Sequence, residues 1–435
     1  MGHDLEARTL RRVSWRIVPL IMLLYFIAYI DRVNIGFAAL SMRQELGFSA
    51  SILGLGAGIF FWGYFLCEVP SNIALHRFGA RKWIARIMLS WGLISGAMAF
   101  VQGPLSFYVI RFLLGAAEAG FFPGIILYLS YWFPARRRAG ITALFMAAAP
   151  ISTALGSPIS AALLQMHGYL GLQGWQWLFL IEAFPALLLG GVVFCCMTDR
   201  PEQARWLSTE ERNWLVAAMQ AEHAGKRGDD HHSLRSGLSN PRVLALAFIY
   251  FGTSAGLYTL GIWAPQIIKQ LGVSSMMVGV LNAVPPTVSV LAMVLWSRHS
   301  DRSGERTWHV VLACMAAAVG LVVASAASGI AGLIAALTLV NVGISCAKPP
   351  LWSMPTMFLS GTAAASGIAA INSIGNLGGF AGPAMIGWIK DQTGSFAGGL
   401  YFVAGLLLLS AVLTLLLSRW QAADASAIAL TQSRH

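Results

Sequence analysis

Apolar residues run in stretches of roughly 20 along almost the whole chain, separated by short polar breaks. A helix needs about 20 mostly apolar residues to cross a bilayer. The pattern therefore predicts an all-α membrane protein with twelve spans, near 15–39, 51–75, 83–101, 106–132, 139–164, 175–196, 243–268, 277–297, 309–327, 331–357, 364–388 and 398–418. One long polar stretch interrupts the series after the sixth. It gives a six-helix bundle over 1–197, a cytoplasmic linker over 198–240, a second six-helix bundle over 241–420 and a cytoplasmic tail over 421–435. Within the linker, Ser208 and Glu211 form a capping-box pattern, with Trp206, Trp214 and Leu215 as apolar residues of a short amphipathic helix. That helix is expected on the cytoplasmic membrane surface. His231 and His232 have no third ligand nearby and read as solvated linker.

Composition agrees with the pattern: 57% of residues are hydrophobic and 11% charged, with a mean hydropathy of +0.67, whereas soluble domains carry about 25% charged residues. The formal net charge of +11 raises nucleic-acid binding, but the basic residues fall in loops between apolar runs. They serve instead as topology signals, because cytoplasmic loops concentrate Lys and Arg. With the N-terminus inside, 23 of the 29 basic residues are cytoplasmic; Arg43, Lys269 and Lys390 lie outside, and Arg32, Arg111 and Lys348 lie within spans. Both termini are then cytoplasmic, as in a multi-pass protein of the bacterial inner membrane. Arg8, Arg11, Arg12 and Arg16 lead straight into a full-length span, so no cleavable signal is expected. The five cysteines, at 67, 195, 196, 314 and 346, have neither metal spacing nor a disulfide framework and read as packing residues. No cofactor or metal is expected.

An ionised side chain at the centre of a span costs at least about 2.5–3.5 kcal/mol, so such groups face cavities, pair, and mark transport paths. Here they are Asp31 and Arg32 with the neighbouring Asn34 in span 1, Glu68 in span 2, Arg111 and Glu118 in span 4, Glu182 in span 6 and Lys348 in span 10. Arg111 and Glu118 are seven residues apart, close to two turns, and share a helix face. A guanidinium holds a carboxylate through two parallel hydrogen bonds. A carboxylate beside it can carry a proton, because burial disfavours its charge, the neighbouring cation favours it, and an arriving anion changes the balance. A plain ion pair that holds helices together is the competing reading of these residues. Asp31 and Arg32 are adjacent and point about 100° apart, so one of them faces a cavity squarely. Glu68 reads as a structural or gating group and Glu182 as a structural one. Lys348 either reaches toward the cytoplasm along its stem or offers a further anion contact.

No histidine stands at mid-span, so any coupled proton falls to a carboxylate. In the second half Tyr250, Tyr258, Asn282, Trp352, Asn372 and Asn376 are candidate pocket residues. Asn372 and Asn376 are the stronger pair, one turn apart, because an unpartnered amide in lipid is costly. Gly375, Gly378, Gly379 and Gly382 around them give the small-residue spacing of close helix contact.

A loop signature appears twice, as Arg77-Phe78-Gly79-Ala80-Arg81-Lys82 after span 2 and Asp301-Arg302-Ser303-Gly304-Glu305-Arg306 after span 8. Two copies six helices apart fit two pseudo-symmetric halves. More specific strings are Tyr29-Ile30-Asp31-Arg32-Val33-Asn34-Ile35-Gly36-Phe37, Glu68-Val69-Pro70-Ser71-Asn72, Gly115-Ala116-Ala117-Glu118-Ala119-Gly120, Trp175-Gln176-Trp177-Leu178-Phe179 and Ile371-Asn372-Ser373-Ile374-Gly375-Asn376. In these motifs the chain resembles the major facilitator superfamily, and within it the anion:cation symporter branch.

The resemblance implies a monomeric symporter in the bilayer that takes up sugar acids, dicarboxylates or aromatic acids with protons. It implies anion binding at Arg32 and Arg111 and protonation of Asp31 and Glu118; Lys348, Asn372, Asn376, Tyr258 and Trp352 are the candidate substrate contacts read from the residues of the other half. Gating then falls to Glu68, Arg77, Arg81, Asp301, Arg302 and Arg306. Two departures stand out: His76 occupies a position that carries an acid in the superfamily pattern, and Lys348 stands where a neutral residue is expected. A third cation facing the cavity would favour a doubly charged anion. The rival readings are a proton/drug antiporter on the same fold, disfavoured because span 5 offers only Gly156-Ser157-Pro158, and a non-transporting metabolite sensor, disfavoured by the lack of an added soluble domain. A membrane enzyme is disfavoured further, because no nucleophile and base pair or metal cluster appears.

Overall fold

The computed structural model describes residues 2–224, 240–355 and 361–432. The linker residues Lys226, Arg227, Asp229, Asp230, His231, His232 and Arg235, and Arg434 in the tail, lie outside them. Among the described residues eleven helical stretches are long and apolar enough to cross a membrane. The remaining span is built from two consecutive helices. The α-helices are α1 Gly2–Glu45, α2 Ala50–Phe78, α3 Ala80–Ala97, α4 Pro104–Glu118, α5 Phe121–Trp132, α6 Ala135–Met146, α7 Ala148–Leu163 and α8 Gly174–Cys196. After α9 Thr209–Ala224 come α10 Pro241–Lys269, α11 Ser275–Ser303, α12 Thr307–Ala326, α13 Ile330–Ser353, α14 Gly361–Asn376, α15 Gly378–Thr393 and α16 Ala397–Gln432. Helices α14 and α15, joined at Leu377, form the eleventh of twelve spans; α4 with α5 and α6 with α7 form the fourth and fifth.

Two compact units result, Met1–Gly47 with Ile59–Asp230 and Phe48–Gly58 with His231–His435. In the first, α3 packs on α8, and α1 on α7 and α8. In the second, α12 packs on α16, and α10 on α14, α15 and α16. These are equivalent pairings: the third span meets the sixth as the ninth meets the twelfth, and the first meets the fifth and sixth as the seventh meets the eleventh and twelfth. The internal repeat seen in the loop signatures is thus repeated in the packing.

Glycines set the closest approaches. A Cβ at Gly115 of α4 would strike the backbone oxygen of Phe60 on α2, and one at Gly378 of α15 would strike that of Phe251 on α10. Backbones meet this closely only where the side chain is missing.

The first helix runs well beyond its membrane span. Its exposed start carries Arg8 and Arg12, which bind Glu211 of α9 at 3.3 and 3.0 Å. The capping box forms as expected, with Ser208 N–H donating to Glu211 at 2.9 Å and Glu211 N–H to the Ser208 hydroxyl at 3.2 Å. The Ser208 N–H bond, partly offset by burial and reinforced by Arg12, holds the Glu211 carboxyl below the usual range. Leu215 and Met219 of α9 are buried, and Trp206 stacks on Trp132 at 5.5 Å. The apolar face anticipated to lie on lipid is therefore taken up by packing within the first unit.

In the second unit the start of α2 lies on α15 and is capped by it. Asp391 accepts hydrogen bonds from Ala50 N–H at 2.9 Å and Ser51 N–H at 2.7 Å. Partial burial alone would raise the Asp391 carboxyl, but these bonds and one from Ser49 outweigh it and hold it below the usual range. A group whose native value is depressed adds stability that is present above its unfolded value, about 3.9, and is lost as pH falls through the lower native one. Asp391→Ala is expected to lower stability by about 1 kcal/mol at neutral pH, read as a thermal-melt shift in detergent. The difference from wild type should vanish in strong acid; an equal shift at every pH would contradict the assignment.

Candidate functional site

In the first unit the helices bring Asp31, Arg32, Arg111 and Glu118 together. Arg32 donates to Glu118 Oε1 through Nε at 2.6 Å and Nη2 at 2.5 Å. Glu118 is 1% exposed and Arg111 2%, so neither charge is solvated by bulk water. The Arg111 guanidinium lies 5.1 Å from the centre of the Phe60 ring, and that of Arg32 lies 5.7 Å from the same ring and 5.3 Å from Tyr64. Arg111 also feels the charges of Glu118 and Asp31. Two guanidiniums beside one aromatic ring, with a carboxylate bound to one of them, form a compact mixed-charge site.

Glu118 is the last residue of α4, and the chain breaks there for a stated reason. Ala119 leaves helical geometry at ψ 136°, and Gly120 takes φ 83° before α5 begins. A side chain at Gly120 would be strained by that φ and would also meet the Ser71 hydroxyl. Discontinuous helices place free backbone ends at mid-membrane, where transporters build their sites. The string Gly115-Ala116-Ala117-Glu118-Ala119-Gly120 thus encodes a close approach, a carboxylate and a helix break in six residues.

Asp31 and Arg32 diverge as adjacent helical residues must. While Arg32 reaches α4, Asp31 turns toward α3, accepting from Trp91 Nε1 at 2.6 Å, Ser95 Oγ at 3.0 Å and Asn34 Nδ2 at 3.2 Å. Trp91 and Ser95 were not singled out in the sequence. Their i,i+4 spacing on one face of α3 was the available signal. Glu182 of α8 accepts from Ser160 Oγ of α7 at 2.6 Å. Glu68 is buried on α2, 4% exposed.

In the second unit the candidates fall on four helices. Tyr250 of α10 meets Trp352 of α13 edge to face, with ring centres 5.0 Å apart. Lys348 lies one turn before Trp352 on α13 and is half-buried. Asn372 and Asn376 of α14 are 8% and 9% exposed, and Gly375 between them lies directly against the Tyr250 ring. Tyr258 and Asn282 are buried as well, on α10 and α11. The paired Pro349 and Pro350 beside Lys348 withdraw two amide donors from α13.

The loop signatures are held by caps. Asp199, just past α8, accepts from Arg81 N–H at 2.7 Å, and Gly79, at φ 86°, leaves room for its carboxylate. An acid from a distant part of the chain thus sits at the start of α3, beside the loop whose own position 76 is histidine. In the second copy Arg306 pairs with Asp301 at 2.7 Å and donates to Ser300 Oγ at 2.8 Å, while Arg302 is exposed. Arg77 lies over the ring of Phe78.

Among the described residues no cluster of three or more His, Cys, Asp or Glu has metal-binding geometry. The cysteines are free thiols, Cys314 and Cys346 being buried in the core of the second unit.

The sequence matches the Major Facilitator Superfamily over residues 21–383. It is 72% identical over 417 residues, 96% of this chain and 93% of the relative, to an Agrobacterium vitis protein named "Putative tartrate transporter". A second Agrobacterium vitis protein of the same name is 68% identical over 434 residues, covering 100% of both chains. Among solved structures, a bacterial homolog of the human lysosomal transporter Spinster, inward-facing and unoccupied, superposes with a TM-score of 0.75 over 94% of this chain and 97% of that one. At 14% identity that likeness is one of fold alone.

Proposed function

As a member of the Major Facilitator Superfamily the chain is a multi-pass membrane transporter, and we propose that it is a proton-coupled symporter importing a small organic anion across the bacterial inner membrane by alternating access. The observation that carries this reading is the pair between half-buried Arg32 and buried Glu118, with Arg111 beside the same Phe60 ring. While Glu118 is ionised it occupies the Arg32 fork that a substrate carboxylate needs. A proton on Glu118 removes its charge and frees Arg32, so that the two guanidiniums can hold the anion.

Charge conservation sets the coupling. Arg32, Arg111, Asp31 and Glu118 sum to zero when all are ionised. Each negative charge entering with the substrate is balanced by one proton on Asp31 or Glu118, which keeps the desolvated cluster neutral. A dicarboxylate then enters with two protons. The names of the two Agrobacterium vitis relatives point the same way, to tartrate, a dicarboxylate. Lys348, Asn372, Asn376, Tyr258 and Trp352 are assigned to the second unit's share of the substrate contacts. Glu68 and the loop charges Arg77, Arg81, Asp301, Arg302 and Arg306 are assigned to gating, and both termini to the cytoplasm.

Counterflow tests the reading. Proteoliposomes preloaded with unlabelled tartrate are expected to draw in labelled tartrate transiently, and a panel of sugar acids and aromatic acids ranks the competitors. Stable binding of the label without exchange would make the protein a sensor, and exchange of cationic drugs without anions would make it an antiporter.

A further inference from the structure

Asp31 and Glu182 are both buried, yet they are partnered very differently. Asp31 accepts three hydrogen bonds, from Trp91, Ser95 and Asn34, as suits an anion. Glu182 accepts one from Ser160 on Oε1 and is reached by the Asn34 amide, but its Oε2 is buried with no hydrogen-bond partner. Asn34, 0% exposed, has an orphan of its own: its Oδ1 is a buried acceptor with no donor. Two buried acceptors without donors, on two side chains that touch, are costly as they stand. A protonated carboxyl gains one O–H donor, so a single proton on Glu182 Oε2 supplies what the site lacks and removes an uncompensated charge.

The surrounding charges do not provide an alternative. Helix α8 packs on α1, α3 and α7. On α1, Asp31 bears electrostatically on Glu182 and is itself an acid. Arg32 is bound to Glu118, and Arg43 and Glu45 lie at the far end of the helix, Glu45 accepting from Trp175 Nε1. On α3, Arg86 lies over the Trp83 ring, and Arg81 and Lys82 stand about 20 Å along the axis from Ser95. Helix α7 contains no titratable residue.

We propose that Glu182 is a proton-binding site of the transport cycle, that it holds its carboxyl proton at neutral pH, and that Asn34 joins it to Asp31 so that the two acids share one proton. In the shared state the O–H bond is on one acid and the negative charge on the other, while Asn34 contributes hydrogen bonds only and keeps both of its N–H bonds. Two acids linked through one amide titrate as a pair rather than singly. With Glu182 neutral, the remaining intramembrane charges, Asp31, Glu68 and Glu118 against Arg32, Arg111 and Lys348, sum to zero.

The inference rests on the symporter reading for its purpose, but its test does not. Infrared spectra of the purified, detergent-solubilised protein at neutral pH are expected to show the carbonyl stretch of a protonated carboxyl, shifted in heavy water. Glu182→Gln should remove that band, and Glu118→Gln should keep it. Asn34→Leu, which deletes the acceptor, should move the band to higher frequency, and it serves if Glu182→Gln fails to fold. Identical spectra for wild type and folded Glu182→Gln, loss of the band in Asp31→Asn in place of Glu182→Gln, or no shift in Asn34→Leu would each overturn the assignment. A Glu182 band in a protein that exchanges no anion would leave the proton site standing and remove the symporter reading.

Discussion

Arg111→Gln is expected to reduce anion uptake by about 100-fold or more, the largest single effect at this site. A hydrogen bond to a charged group contributes about 1.5–3 kcal/mol, and a forked contact contains two, so losing it weakens binding by about 3 kcal/mol or more, or roughly two decades. The substitution leaves the Arg32–Glu118 pair in place but takes a positive charge out of a buried cluster that also holds Asp31 and Glu118, so the melting temperature should fall, and uptake is compared where the variant stays folded. Arg111→Lys separates charge from geometry. An ammonium keeps the positive charge but cannot fork, so it should restore uptake only in part. Full uptake by either variant in proteoliposomes would remove Arg111 from the substrate site.

Glu118→Gln is expected to abolish proton-driven accumulation while anion exchange continues. Glutamine preserves the shape of the protonated acid, so Arg32 stays available to the substrate, but the side chain can no longer release a proton. Removing one partner of a buried ion pair usually destabilises by about 3–5 kcal/mol. Here an anion bound at Arg32 would offset part of that loss, and the variant should melt higher with substrate than without, by more than wild type does. Uphill uptake retained in Glu118→Gln would reject its role in coupling.

The membrane architecture was legible in the sequence because each apolar run must be long enough to cross lipid and each basic cluster must stay on one side. Residues such as Arg77, Arg81, Arg302 and Arg306 therefore fix the number of crossings. The charged site was legible for a related reason: ionised groups within apolar runs are expensive, so Asp31, Arg32, Arg111 and Glu118 stand out against their neighbours. Their connections were harder to read. The 100° divergence of Asp31 and Arg32 was foreseeable, but that Arg32 reaches Glu118, 86 residues away, depends on how α1 packs near the helix break at Gly120. Trp91 and Ser95 look like ordinary members of an apolar helix until Asp31 is placed against them. Asp199 was equally hidden, since its task at the start of α3 requires the end of α8 to return beside that loop. Glu182 looked like a packing residue because its significance lies in an oxygen without a donor, which no sequence pattern records.

The central claim is that anion and proton cross together, and the direct measurement is the external pH of weakly buffered proteoliposomes when tartrate is added outside. The account predicts that tartrate, moving down its own gradient, carries protons in with it, so that the medium turns alkaline only when both protein and tartrate are present. The change should persist when the membrane potential is clamped and disappear in Glu118→Gln. Tartrate entry without alkalinisation, or with acidification, would contradict it.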